Sequence, residues 1–120
     1  MLRGMHLTAI GDGNMLLEPT DGLDPSSPDE YIAELTEVLQ SEGAHTLMYD
    51  LKQVPLIDQV YYTWLVYLNN LCRLTNVELI IVNIRTTVAF SLAMSLKQPP
   101  PFKCSLDVDR ARQGITITLK

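Results

Sequence analysis

The chain has 120 residues, of which 47% are hydrophobic and 19% charged, with 9 Lys and Arg against 14 Asp and Glu for a formal net charge of −5. That length suits one domain, the composition excludes a disordered chain, and the acidity counts against a nucleic-acid binder or an electrostatic anchor on acidic lipid. No apolar run approaches the roughly 18 residues that span a bilayer, Met1 to Leu7 lacks a secretion signal's apolar stretch, and two cysteines are too few for a disulfide framework, so a small soluble cytoplasmic domain is expected.

Leu7 to Ile10 and Met15 to Leu17 are short apolar runs around Gly11-Asp12-Gly13-Asn14. Those turn residues tolerate positive φ, so the segment reads as a β-hairpin ending by Pro19. Thr20 to Ser27, rich in Asp, Gly, Pro and Ser, reads as a loop. Ser27, Pro28 and Glu30 spell an N-cap, a first-turn proline and a capping box. Tyr31, Ile32, Leu35, Val38 and Leu39 then recur at helical spacing, and Gly43 is the expected stop.

Thr46 to Leu51 has strand character, ending at Asp50, and Lys52 to Ile57 is a loop containing Pro55. Asp58 is placed to cap a second helix reaching about Leu74. Its buried stripe is Tyr61, Trp64, Leu65, Leu68, Leu71 and Cys72. Val77 to Val82 suits a strand covered on both faces. A third helix is expected from about Thr86 to Leu96, ahead of three prolines at 99–101. Phe102 to Leu106 reads as a strand and Asp107 to Gln113 as a short helix, with Ser105 available as its cap. Ile115 to Leu119 alternates Thr with apolar residues, as a terminal strand or a frayed tail. Strands alternating with helices predict an α/β fold, a mixed but mainly parallel sheet with an N-terminal hairpin and about four helices.

Cofactor and metal signatures are missing. Gly11-Asp12-Gly13 supplies two glycines of a dinucleotide fingerprint and sits in a hairpin turn. His6, His45, Cys72 and Cys104 lack metal-ligand spacing. Cys72 lies on an apolar stripe, as a core residue rather than a nucleophile would. A phosphotransfer receiver is one fold of this size, with Asp50 as acceptor and Thr86 and Lys103 in support. It requires a helix straight after the first strand, where this chain has Gly11, Gly13, Pro19, Gly22 and Pro25. No cofactor and no enzymatic activity are expected.

An ordered set of segments is more informative. Tyr49-Asp50-Leu51 is followed by Val54 to Asp58, then by a long helix ending Leu71-Cys72-Arg73-Leu74. Val77 to Arg85, Val88 to Leu92 and Ser105 to Ala111 complete it. Together these resemble STAS domains of the anti-sigma factor antagonist family, nearest the RsbS and RsbR type found in stressosomes. The resemblance implies a non-catalytic domain that switches partners. Those partners are an anti-sigma factor or related Ser/Thr kinase, and other STAS subunits in a homo- or hetero-oligomer.

In that family a Ser or Thr after the loop's Asp is phosphorylated to release the partner, because phosphate adds about −1.5 to −2 charges at a fitted interface. Here that residue is Gln59, which accepts no phosphate and carries no charge. Ser91 matches the family's second phosphosite, with a plain helix-surface serine as the alternative. Four of the eight aromatic residues fall between Tyr61 and Tyr67. The helix places Tyr62 and Val66 away from the core stripe, flanked by Asn69 and Arg73. Asp58, Gln59, Tyr62 and Val66 are therefore expected to form a partner-binding face. The alternative is that the tyrosines pack under neighbouring loops. Asp21, Asp24 and Asp29 form an acidic loop that either contributes or is simply solvated. A second functional reading is a STAS accessory subunit of a membrane transport complex, itself not inserted in the membrane.

Overall fold

The computed structural model describes residues 2–118. Strands β1 (Met5–Gly11) and β2 (Asn14–Pro19) pair antiparallel. Asp12 and Gly13 link them, at φ 57° and 77°, as a two-residue turn of the I′ class requires. Glycine suits position 13 on two counts: it holds a positive φ without strain, and a Cβ there would lie 2.3 Å from the His45 ring and force it to shift. β3 (Thr46–Asp50), β4 (Glu78–Val82) and β5 (Lys103–Ser105) extend the sheet in parallel, in the order β1-β2-β3-β4-β5. Between them run α1 (Ile32–Ser41), α2 (Gln59–Leu74) and α3 (Thr86–Ser95), and α4 (Val108–Arg112) follows β5. The mixed, mainly parallel α/β architecture matches the expectation from the sequence.

The period-2 geometry of strands sorts the side chains into two layers. One register row crosses the sheet as Leu7, Leu17, Tyr49, Ile81 and Cys104. It faces the main core with Leu35 and Leu39 of α1, Trp64, Leu65, Leu68 and Cys72 of α2, and Leu92 of α3. Each fully buried aliphatic or aromatic side chain there contributes roughly 1.5–3 kcal/mol. On the opposite face Met48, Ile80 and Val82 pack on Ala111 of α4, with Leu16 and Ile10 alongside. β4 is thus covered on both faces, as its apolar run implies.

Two local expectations, both serine caps, are corrected. Ser27 makes no cap; its hydroxyl donates to Asp24 Oδ2 at 3.1 Å, residues 28–30 form a 3₁₀ turn, and α1 begins only at Ile32. The Ser27 hydroxyl is held by the Asp24 carboxylate and accepts from none of the free N–H groups of the turn that follows. Likewise Ser105 donates to the Ile115 carbonyl at 2.6 Å, and Asp107 caps α4 by accepting from Arg110 N at 2.8 Å. The segment after α4 forms no strand as far as residue 118; Ile117 makes a single antiparallel bridge to Cys104, and Leu119 lies outside the described residues.

Inside the main core a polar chain joins α2 to β3. Trp64 Nε1 donates to Tyr49 Oη at 2.9 Å, and the Tyr49 and Tyr61 hydroxyls are 2.7 Å apart. Trp64 also packs on Tyr31, ring centroids 5.4 Å apart, and Tyr31 Oη accepts from Asp24 N at 2.9 Å. Burial, reinforced by Tyr61, holds the Tyr49 hydroxyl well above its ordinary range. Burial also raises Tyr61 to about 12. Replacing Tyr49 by Phe strands the Trp64 donor, so Tyr49→Phe should cost about 1–3 kcal/mol in urea unfolding. Tyr61→Phe leaves the Trp64–Tyr49 bond intact and should cost less. A raised tyrosine pKa stabilises the protonated fold below pH 10 and is lost above it. Melting temperature should therefore hold up to about pH 10 and fall toward pH 12, less steeply in Tyr61→Phe.

Candidate functional site

The loop at 52–57 leaves the C-terminal end of β3 and delivers the chain to α2. Its base is fixed by short contacts. Asp50 Oδ1 accepts from Lys52 N at 2.8 Å and from Asn83 Nδ2 at 3.2 Å. Leu51 N donates to Val82 O at 2.9 Å, and Arg85 Nε to Lys52 O at 3.1 Å. Asn83 holds φ 58°, a left-handed conformation that Asn tolerates. Val54 is buried beneath the loop while Leu56 is 66% exposed.

Asp58 is extended and caps α2, its Oδ1 accepting from Tyr61 N at 2.8 Å. Gln59 is the first helical residue and is exposed; its Nε2 donates to Thr63 Oγ1 at 3.3 Å. Tyr62 and Val66 differ from the expected open face. Both are half-buried against the core, and Tyr62 packs on Phe102 with ring centroids 5.9 Å apart. Burial raises the Tyr62 pKa, with Cys104 adding to it. Asn69, expected on the outer flank, is buried at 4% exposure. The segment before β5 folds over this side of α2, which the helical pattern alone does not reveal.

Ser91 is exposed on α3 and faces the loop: with Thr87 and Val88 it lines a cavity of about 130 Å³ closed by Pro55, Leu56 and Ile57. The loop that leads to Gln59 thus meets α3 beside Ser91. It also reveals residues that sequence reasoning missed. Phe90 is 69% exposed and Met94 74%, one turn apart on α3, and Val60 is 46% exposed at the start of α2. The available signal was α3 itself, apolar on nearly every side: Val88 and Leu92 face the core, which leaves a second apolar face uncovered.

Other candidates resolve as structural. The Cys72 and Cys104 thiols are buried and pushed up to about 12 by that burial, so they remain protonated. Among the described residues no group of three or more His, Cys, Asp or Glu is placed to hold a metal. No helix among them is long and apolar enough to cross a membrane. In the acidic loop, Asp24 is held below the usual carboxylate range by bonds from Ser26 and Ser27. Asp29 accepts from Tyr67 Oη at 3.0 Å. A receiver arrangement is ruled out: β1 turns directly into β2, and Lys103 pairs with Glu78 at the other end of the sheet from Asp50.

The family model for the STAS domain matches residues 8–111. The chain belongs to the STAS domain family. The match runs from β1 into α4, so every strand and helix of this STAS fold falls within it or across its edge. Two solved structures share the fold. One is RsbS from Moorella thermoacetica carrying a serine-to-glutamate substitution, with TM-score 0.72 and 17% identity over 89% of this chain and 92% of that one. The other belongs to the stressosome, described as a signal integration and transduction hub. It has TM-score 0.73 and 16% identity over 91% of this chain and 94% of that one. No curated protein matches the chain significantly.

The Asp58 cap sets the geometry of this end of the STAS domain. Asp58→Ala should cost about 1 kcal/mol in chemical unfolding and raise hydrogen exchange in the first turn of α2, whereas Asp58→Asn should lose only a few tenths.

Proposed function

We propose that this STAS chain is a non-catalytic, cytoplasmic subunit that acts by binding protein partners. Those partners are other STAS subunits and an anti-sigma factor or related Ser/Thr kinase. The supporting observation is the apolar surface at the start of α2 and along α3. Leu56, Val60, Phe90 and Met94 are all exposed there beside Gln59 and Ser91. Large exposed apolar side chains rimmed by polar groups mark interaction surfaces rather than stable solvent faces. In this reading Asp58 and Gln59 sit at the partner's edge. Tyr62 and Val66 act from behind, fixing α2 against Phe102.

Gln59 removes the primary phosphorylation switch by chemistry alone. The chain then either holds the binding state permanently or takes its signal at Ser91. A phosphate on Ser91 would bring about −1.5 to −2 charges next to Leu56 and Phe90, and an apolar contact would not survive that. Phe90→Glu with Met94→Glu should abolish capture of the native partner at unchanged melting temperature. An unaltered complex in that variant would overturn the proposed face. Native mass measurement of the complex captured from the source cells should show a large assembly containing a kinase-like chain; retention on a membrane ATPase would favour the transport reading. Gln59→Ser incubated with the captured kinase should become phosphorylated where the native chain does not.

A further inference from the structure

At the opposite end of the sheet from the 52–57 loop is a cavity of about 440 Å³, between the last turns of α2 and the starts of β3 and β4. Asn69, Arg73, Asn76, His45, Lys103 and Glu78 contribute to its wall. Asn69 is the anomaly. It stands on the flank of α2 that the segment before β5 covers, only 4% exposed, and its Nδ2 has no hydrogen-bond partner among the described residues. A buried donor left unpaired is costly, and an apolar residue would fill the same place without that cost.

The groups around it are mostly donors. Arg73 lies one helical turn on from Asn69, on the same wall, and makes no ion pair among the described residues. Lys103 Nζ is 2.7 Å from Glu78 Oε2, so two cations face one carboxylate. The end of α2 would ordinarily present bare carbonyls and repel an anion. Here three of the last four are already occupied: Leu71 O accepts from Thr75 Oγ1 at 3.2 Å, Cys72 O from Val77 N at 2.8 Å and Arg73 O from Asn76 N at 3.3 Å. A donor-rich, net cationic hollow in an acidic chain selects an acceptor-rich anion, and the forked Arg73 guanidinium matches a planar or tetrahedral oxyanion. Pro101 adds an apolar wall for the body of such a molecule.

We propose that this cavity binds a small oxyanion-bearing molecule, with Asn69 and Arg73 as its recognition pair and Lys103 as a second cation. The site is independent of the α2–α3 partner surface and lies at the other end of α2. The test is a ¹H–¹⁵N titration of the full chain with inorganic phosphate and, separately, with acetate, against sodium chloride at matched ionic strength. Saturable shifts are expected at the Asn69 side-chain amide, at Arg73 and at residues 76–79. Tighter binding of one probe assigns the phosphoryl or the carboxylate class. Arg73→Gln should weaken binding at least about tenfold, the scale of a charge-assisted bidentate pair, whereas Arg85→Gln at the far end should not. Asn69→Leu should abolish binding while raising the melting temperature by about 4 °C or more, as removal of an unpaired buried donor predicts. Shifts that fail to saturate, that chloride reproduces, or that survive Arg73→Gln overturn the proposal. So does an Asn69→Leu variant that melts lower than the native chain, because Asn69 would then be serving the fold.

Discussion

The Tyr49 hydroxyl is the point on which the arrangement of this domain turns. It lies near the C-terminal end of β3, on the core face of the central strand, and is hydrogen-bonded to two residues of α2, Trp64 and Tyr61. Hydrophobic burial alone is non-directional; a greasy helix face against a greasy sheet tolerates small rotations and slides. Two hydrogen bonds to one buried oxygen do not. They fix the rotation of α2 about its axis and its height along β3. Trp64 extends the constraint through Tyr31 to the Asp24 loop, so one polar chain ties together the sheet, α2 and the entry to α1.

Everything at the candidate site inherits its position from that lock. With α2 fixed, Asp58 caps its first turn and Gln59 is held outward. The loop before it has little freedom left, because its other end is bound to the connection between β4 and α3 through the Asp50–Asn83 and Lys52–Arg85 contacts. These are surface bonds of modest individual value, on the order of 1 kcal/mol each. Their effect is geometric: they couple the loop to α3, the element that carries Ser91, Phe90 and Met94. A negative charge added at Ser91 therefore acts on a loop that cannot simply swing away.

Much of this was readable from the residues. The hairpin follows from Asp12-Gly13, the long helix from Asp58 and its stripe, and the twice-covered strand from the run after Val77. Those signals are local, and local signals are strong where one chemistry has one use. Two misreadings involve a side chain with two competing uses. Ser27 and Ser105 are adequate caps on paper, yet each hydroxyl is engaged elsewhere as a donor, to Asp24 three residues back or to the Ile115 carbonyl beyond α4. Tyr62, Val66 and Asn69 lie off the core stripe by helical spacing. The packing of Phe102 and Pro101 across α2 comes from a segment more than thirty residues away and leaves no trace in that spacing. Exposure of Phe90 and Met94 was hidden for the converse reason. An apolar helix suggests burial on all sides, and only the fold shows that nothing covers its outer face.

The two ends of α2 differ in what they ask of a partner. The N-terminal end, with α3, offers exposed apolar area, which suits a protein surface whose fit is decided by shape. The C-terminal end offers a hollow with fixed donors and an unpaired amide, which suits a small anion. A rigid helix locked to β3 at its first turns, and lined with core residues to Cys72, transmits little bending between them. Any coupling between the two ends must therefore pass through stiffness or through the segment before β5, which touches both: Pro101 walls the hollow and Phe102 packs on Tyr62. A ligand seated against Pro101 would bear on Phe102 next, and so on the residues that hold the start of α2 in place.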